Sequence, residues 1–143
     1  YGVMEDSPWG EDPSKPSGTG TFIARYIAVQ IVANNLADFA RVSLRYCIGE
    51  EEVGLNVTTN GTGRISQRKI HDWVRKNFPL KIEDVIKLFD LRNPQLYWKV
   101  VDSADFFHRI TDKLANTYSF PWNVAKGVNP GYFNPLTHPE GTR

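Results

Sequence analysis

Hydrophobic residues in the first third of the chain recur with the period of a helix. Between residues 21 and 36 they return every three or four positions, and Thr19 is the expected N-cap. The apolar stripe consists of Phe22, Tyr26, Val29, Ala33 and Leu36, and it is widened by Ile23, Ile27 and Ile31. Because so wide an apolar face must be covered by other elements, we expect this helix to lie in the core.

The pattern then changes to a period of two, which is typical of strands. Residues 41–48 place Val42, Leu44, Tyr46 and Ile48 on one face, and residues 53–59 alternate in the same way. A polar turn, residues 49–52, separates the two runs. The pattern therefore predicts an antiparallel hairpin.

Helical periodicity returns after the hairpin. Ser66 is the expected N-cap of a second helix, which Pro79 ends. The inward positions of this helix are Ile70, Trp73, Val74 and Phe78. A short third helix buries Ile82, Val85, Ile86 and Phe89, and Pro94 closes that region. A further helix is predicted over residues 104–116, and residues 99–101 are compatible with an extended segment.

These elements predict an α+β fold, in which an antiparallel β-hairpin forms the core with two to three helices packed on one face. Residues 1–20 are rich in Gly, Pro, Ser and acidic side chains, and we expect a polar loop. The α+β domain then spans residues 21–116, and residues 117–143 form an extended tail rich in aromatic residues and proline.

Composition narrows the classes of function. The chain has 143 residues and a net charge of +1, well short of the basic excess typical of non-specific nucleic-acid binding. No apolar run approaches the roughly 18 residues of a membrane-spanning helix, so we expect no membrane insertion. Cys47 is the single cysteine, and no spacing of Cys and His is typical of a metal site. We expect no bound metal and an intracellular location, either the cytoplasm or an organellar matrix.

Short segments along the chain occur in an order that is characteristic of one enzyme family. They are Asp12-Pro13-Ser14-Lys15, Ala24-Arg25-Tyr26-Ile27-Ala28, Tyr46-Cys47-Ile48-Gly49, Gly61-Thr62, the stretches 74–80 and 88–94, and Ser119-Phe120-Pro121-Trp122. In order and spacing they resemble the C-terminal domain of S-adenosylmethionine synthetase, also called methionine adenosyltransferase. The resemblance covers residues 1–122.

The resemblance implies a chemistry that this chain holds only in part. The family makes S-adenosylmethionine from ATP and methionine at a dimer interface, with magnesium and potassium, in subunits of three similar domains. By resemblance, Lys15 falls on a lysine that contacts the triphosphate, and Arg109 falls on a retained arginine of the same site. Glu11 stands where a further lysine is usual, and Ser17 and Gly18 replace an aspartate–arginine pair. We therefore expect no cofactor for this chain alone, and ATP, magnesium and potassium only if it completes a synthetase.

Three functions remain open from the sequence. The first is a non-catalytic, synthetase-like domain that serves as a structural and interaction subunit of a larger protein assembly and has no activity on its own. The second is a fragment or partner subunit of an active synthetase. The third is an RNA-contacting component of a ribonucleoprotein, which is not favoured and would use Arg64, Arg68, Lys69, Arg75 and Lys76 around the second helix.

The tail is the predicted docking element. It contains Tyr118, Phe120, Trp122, Tyr132 and Phe133, more aromatic residues than a solvated tail needs, among prolines that prevent regular structure. We expect the tail to lie along a partner chain, with Trp122 and Phe133 as anchors. The alternative, in which Phe120 and Trp122 fold back onto their own domain, stays open.

Overall fold

The computed structural model describes residues 12–103 and 121–123, and the structural statements below concern these residues. In chain order they form α1 (Pro16–Ala33), β1 (Arg41–Arg45), β2 (Gly54–Thr58), α2 (Gln67–Asn77), α3 (Ile82–Phe89), α4 (Pro94–Ser103) and a 3-10 turn (Pro121–Asn123). β1 and β2 pair antiparallel, α1 contacts β1, and α2 contacts β2. The predicted α+β fold is confirmed. No helix in this part of the chain is long and apolar enough to cross a membrane.

α1 is the central helix of the core. It contacts β1, α3 and the 3-10 turn, and Ile23, Ile27 and Ile31 are completely buried. Two positions of the predicted stripe differ, because Val29 is half-buried and Ala33 is exposed. Because α1 has neighbours on several sides, the row of Ile23, Ile27 and Ile31 is buried as well. Burial along α1 is therefore not confined to one narrow stripe.

α1 begins at Pro16, five positions before the predicted start, so residues 16–20 belong to the helix and not to a loop. Proline suits the first turn, where its missing N–H is not needed and its φ is already helical. Lys15, not Thr19, is the N-cap residue. Thr19 is buried inside the helix, where its hydroxyl donates a hydrogen bond to the Pro13 carbonyl.

The hairpin has the predicted register but is shorter than expected. Val42 lies opposite Val57 and Leu44 opposite Leu55, and all four pack in or against the core. β1 ends at Arg45, after which the Glu50 N–H donates to the Cys47 carbonyl in a turn that contains Gly49 at φ 84°. The prediction that Ile48 faces the core is wrong, because this turn leaves Ile48 fully exposed.

The second and third predicted helices are confirmed as α2 and α3. The Ser66 side chain caps α2 by accepting a hydrogen bond from the Lys69 N–H at 3.3 Å. Seven of the eight predicted inward residues are buried, namely Ile70, Trp73, Val74, Phe78, Val85, Ile86 and Phe89, whereas Ile82 at the start of α3 is only half-buried. α3 ends at Phe89, and Asp90, its C-cap residue, has a left-handed backbone conformation.

Pro94 begins a helix instead of closing the helical region. α4 spans Pro94–Ser103, so the expectation of an extended segment over residues 99–101 is wrong. The side chain of Asn93 accepts a hydrogen bond from the Gln95 N–H at 3.1 Å, which stabilises the start of α4, and proline fits a first helical turn. The helix predicted over residues 104–116 lies outside the described residues.

Trp122 belongs to the core. The expectation that this residue anchors the tail on a partner chain is therefore wrong. Its side chain is 0% exposed. Its ring stacks on Phe22 of α1, with ring centroids 4.3 Å apart, and meets the edge of Phe89 of α3 at 6.2 Å. The apolar surface that α1 and α3 leave between them binds this ring, so the fold-back alternative holds for Trp122.

Candidate functional site

Lys15 lies at the N-terminal end of α1. It is exposed, and its backbone N–H donates to the Asp12 carbonyl at 2.9 Å, which fixes the turn that leads into the helix. The first-turn amides of a helix carry a partial positive charge, and the first turn of α1 contains no acidic side chain. The structure therefore places an exposed lysine immediately before the electropositive end of an 18-residue helix, and such helix ends favour anions.

The Asp12 carboxylate stabilises the same turn. Its Oδ1 accepts a hydrogen bond from the Ser14 N–H at 2.8 Å. Hydrogen bonds from Ser14 hold the pKa of Asp12 below its ordinary value, and the positive charge of Arg92 acts in the same direction. Asp12 therefore places a negative charge next to Lys15, and the Asp12 carboxylate already has a structural role in this turn.

Arg64 and Arg75, two of the basic residues predicted for RNA contact, form contacts that connect α2 and its start to other parts of the fold. Arg64 forms an ion pair with Asp38. Arg75 donates to the Val53 carbonyl at 2.9 Å and lies 3.8 Å from the Glu52 carboxylate. These contacts tie α2 and the residues before it to the hairpin and to the loop after α1. Their role is at least partly structural.

The remaining members of that set, Arg68, Lys69 and Lys76, are exposed on α2. Trp73, the aromatic residue nearest to them in sequence, is buried and contacts the Phe78 ring edge-on at 5.3 Å. Binding of single-stranded nucleic acid relies on exposed aromatic rings as well as cations. The structure does not bring an exposed ring of α2 to these cations.

A shallow groove lies between the hairpin turn and the segment from α2 to α3. Its volume is about 440 Å³, and its lining combines apolar and charged side chains, namely Glu51, Glu52, Val53, Arg75, Phe78, Leu80, Lys81 and Asp84. Of the residues singled out from the sequence, Arg75 lines this groove. Both signs of charge meet there, so the groove as a whole does not select a cation or an anion.

The solvent side of the hairpin forms a polar surface that sequence reasoning did not assign to any function. We call it the outer sheet face, and it consists of Arg41, Ser43 and Arg45 of β1 and Gly54, Asn56 and Thr58 of β2. The period-two alternation had already separated these residues from the core positions. What it did not reveal is which of the arginines remain unpaired in the fold.

Comparison with protein-family models places the chain in a family. The model described as the C-terminal domain of S-adenosylmethionine synthetase matches residues 6–122, which is well over half of the chain. The chain belongs to this family. The match ends at Trp122, the residue whose ring fills the space between α1 and α3.

The magnesium ion implied by the synthetase family does not fit the described residues. Magnesium is bound by carboxylates together with phosphate groups. Ser17 and Gly18 fill the first turn of α1, and the nearby Asp12 carboxylate accepts the Ser14 N–H. In residues 12–103 and 121–123, no group of three or more His, Cys, Asp or Glu side chains is arranged to hold a metal.

Other predicted site residues lie outside the part of the chain that the structure describes. They are Glu11 and Arg109 of the synthetase-like phosphate site and Tyr118, Phe120, Tyr132 and Phe133 of the predicted docking tail. Their assignments stay predictions. The division of the chain at residues 20 and 116 also stays a prediction, although α1 begins at Pro16 and Trp122 packs in the core.

Proposed function

We propose that this chain is a non-catalytic member of the S-adenosylmethionine synthetase C-terminal family that serves as a structural and interaction subunit of a larger protein assembly. The start of α1 carries this proposal. Lys15 precedes a first turn that contains Ser17 and Gly18 and no carboxylate. By resemblance, active members hold an aspartate–arginine pair at these two positions. Transfer chemistry at a triphosphate depends on several charges that act together, and one lysine supplies only a part of them.

The packing of the core also supports this proposal. Phe22, Phe89 and Trp122 pack together, and Tyr26 contacts Phe78 and Phe89 edge-on. None of these contacts involves Ser17 or Gly18. A domain whose packing is independent of its former active-site positions remains a stable scaffold, and function depends on sites and not on the fold.

Two measurements test this proposal. The purified chain is assayed with ATP, methionine, magnesium and potassium, and we expect no S-adenosylmethionine. The tagged chain is then sized in a native extract of its source, where we expect an assembly well above the 16.3 kDa of the chain itself. Turnover by the chain alone would overturn the proposal. Migration at the size of the free chain would do so as well.

The exposure of Lys15 at the start of α1 favours a second candidate, in which the chain completes the active site of a larger synthetase-like subunit. In that case, activity appears only when both chains are mixed. Lys15→Ala then abolishes the activity, whereas Lys69→Ala, which removes an exposed cation from α2, leaves it unchanged. That pair of results would replace the first candidate by the second.

The proposed assembly lies in a reducing intracellular compartment. Cys47 is a half-buried free thiol, and the sequence holds no second cysteine with which it could form an internal disulfide. Such cysteine usage is typical of intracellular proteins. Cell fractionation should recover the chain with cytoplasmic or organellar matrix proteins, and recovery from the secreted fraction would contradict this location.

A further inference from the structure

The outer sheet face carries two arginines that lack a counter-charge among the described residues. Arg41 and Arg45 are exposed, and neither guanidinium forms an ion pair or a hydrogen bond there. Three other arginines each pair with a carboxylate, namely Arg64, Arg75 and Arg92. The hairpin therefore presents two guanidinium groups on one polar surface, and neither is paired with a carboxylate of the described residues.

The opposite strand leaves room for one of these side chains. Arg45 lies directly across from Gly54 in the β1–β2 register. A Cβ atom at Gly54 would come within 3.1 Å of the Arg45 Cβ and 3.3 Å of its Nε. The Arg45 side chain therefore lies across the glycine, over the sheet, instead of extending freely into solvent. This contact restricts the guanidinium before any partner binds and lowers the entropy cost of binding.

The spacing along β1 defines a pattern for a ligand. Four residues at about 3.3 Å each separate Arg41 from Arg45 by about 13 Å along the strand. Ser43 lies between them with Asn56 opposite, and Thr58 lies opposite Arg41, so hydroxyl and amide groups occupy the space between the two cations. The outer sheet face contains no carboxylate.

We infer that the outer sheet face docks an extended acidic segment of a protein partner. A guanidinium binds a carboxylate through two parallel hydrogen bonds. Two carboxylates four residues apart on an extended segment have the same spacing of about 13 Å as Arg41 and Arg45. The inference rests on the proposed interaction function, and it adds the surface and the chemistry of the partner.

The same arginines would also attract the phosphates of RNA, but the surface lacks the second requirement for that ligand. Proteins that bind single strands stack bases on aromatic side chains. None of the six residues of the outer sheet face is aromatic. The chain as a whole carries a net charge of only +1. The charge and the residue types therefore favour carboxylates presented by a protein.

A binding experiment with a matched charge control tests this inference. The probe is a synthetic peptide of high β-propensity with glutamates four residues apart, and its counterpart carries glutamine at those positions. Fluorescence anisotropy compares the wild-type chain with the double variant Arg41→Gln/Arg45→Gln and with Arg68→Gln/Lys69→Gln, which removes two charges from α2. We expect the sheet variant to bind the acidic peptide about tenfold more weakly or worse, and the helix variant to bind within about twofold of wild type.

Gly54→Ala provides a test that leaves the net charge unchanged. The added methyl group would lie within 3.1 Å of the Arg45 Cβ and 3.3 Å of its Nε and would displace the side chain from its position over the sheet, so we expect weaker binding of the acidic peptide at a temperature where the variant is fully folded. Equal affinity of this variant and the wild-type chain would contradict the role given to Arg45. Circular dichroism confirms that all variants fold.

Three results would overturn the inference as a whole. They are equal affinity for the glutamate and glutamine peptides, equal weakening by the two double variants, and tighter binding of a single-stranded RNA oligonucleotide than of the acidic peptide. Failure of the proposed interaction function is seen separately, because it requires the wild-type chain to migrate alone in the native extract. If Arg41→Gln/Arg45→Gln stays in an assembly while the peptide results are negative, the docking surface is wrong and the interaction function stands.

Discussion

Replacing Trp122 by alanine tests whether the end of the family match is part of the folded core. The side chain is 0% exposed and contacts the rings of Phe22 and Phe89. Truncation of a buried aromatic residue to alanine typically lowers the free energy of unfolding by about 3–5 kcal/mol. We expect the upper part of this range, because two aromatic contacts are lost together. For a domain of this size, such a loss lowers the melting temperature by on the order of 15–30 °C.

Urea and thermal unfolding followed by circular dichroism measure this effect. Trp98→Ala is the matched control, because Trp98 is 70% exposed and its removal should change the free energy of unfolding by less than about 1 kcal/mol. Trp122→Phe keeps a ring in the site and should lose about 1–2 kcal/mol, so it remains measurable if the alanine variant does not fold. Equal losses for Trp122→Ala and Trp98→Ala would refute the placement of Trp122 in the core.

Three further substitutions test contacts within the domain. Tyr46→Phe removes the hydrogen bond to the Leu80 carbonyl and should lower the free energy of unfolding by about 1 kcal/mol in urea titrations. Burial raises the pKa of Tyr46, so its protonated form stabilises the fold fully below about pH 10 and this contribution is lost at higher pH; the decline above pH 10 should be smaller in Tyr46→Phe. Gly20→Ala places a methyl group 3.0 Å from the Tyr46 ring, and we expect lower stability by about 1 kcal/mol despite the better helix propensity of alanine, whereas a higher urea midpoint would contradict this contact. Thr62→Val removes the acceptor of the Asp38 and Phe39 N–H groups, which are exposed to water, and should cost about 0.5–1.5 kcal/mol by the same titration, whereas Thr62→Ser should stay close to wild type.

Local signals in the sequence predicted the elements that depend on local physics. Ser66 accepts the Lys69 N–H because a serine before an apolar helical pattern is favoured as an N-cap. Val42 and Leu44 face the core because a period of two separates the faces of a strand. In both cases the structural outcome is decided within a few residues of the signal.

Outcomes that depend on distant parts of the chain could not be predicted in the same way. Trp122 follows Phe22 by 100 positions, and only the folded structure shows that its ring packs against Phe22 and Phe89. Ile48 fits the alternating pattern, but the turn around Gly49 removes it from the sheet. The pattern of apolar and polar residues identifies side chains that must be buried, but it does not identify which other elements pack against them.

In the candidate site, too, local features could be predicted from the sequence and features that depend on the folded chain could not. Lys15 could be matched to a phosphate-binding lysine from the order of short segments, but its position at the electropositive end of α1 depended on where the helix begins. Sequence reasoning placed that start at residue 21, which would have left Lys15 in a loop. For the outer sheet face, the alternation separated Arg41 and Arg45 from the core, but their lack of partners is a property of the folded chain.

At the start of α1, the buried residues that hold the fold are different from the residues that resemblance assigns to a triphosphate. Thr19 and Gly20 face inward and are buried, whereas Lys15 is exposed and Ser17 and Gly18 are only partly covered. The ring contacts of the core, among Phe22, Tyr26, Phe78, Phe89 and Trp122, involve neither Ser17 nor Gly18. The outer sheet face is likewise separate from the core, so arginines there cost little stability. The proposed loss of catalytic charges and the proposed docking surface therefore both concern residues outside the buried core.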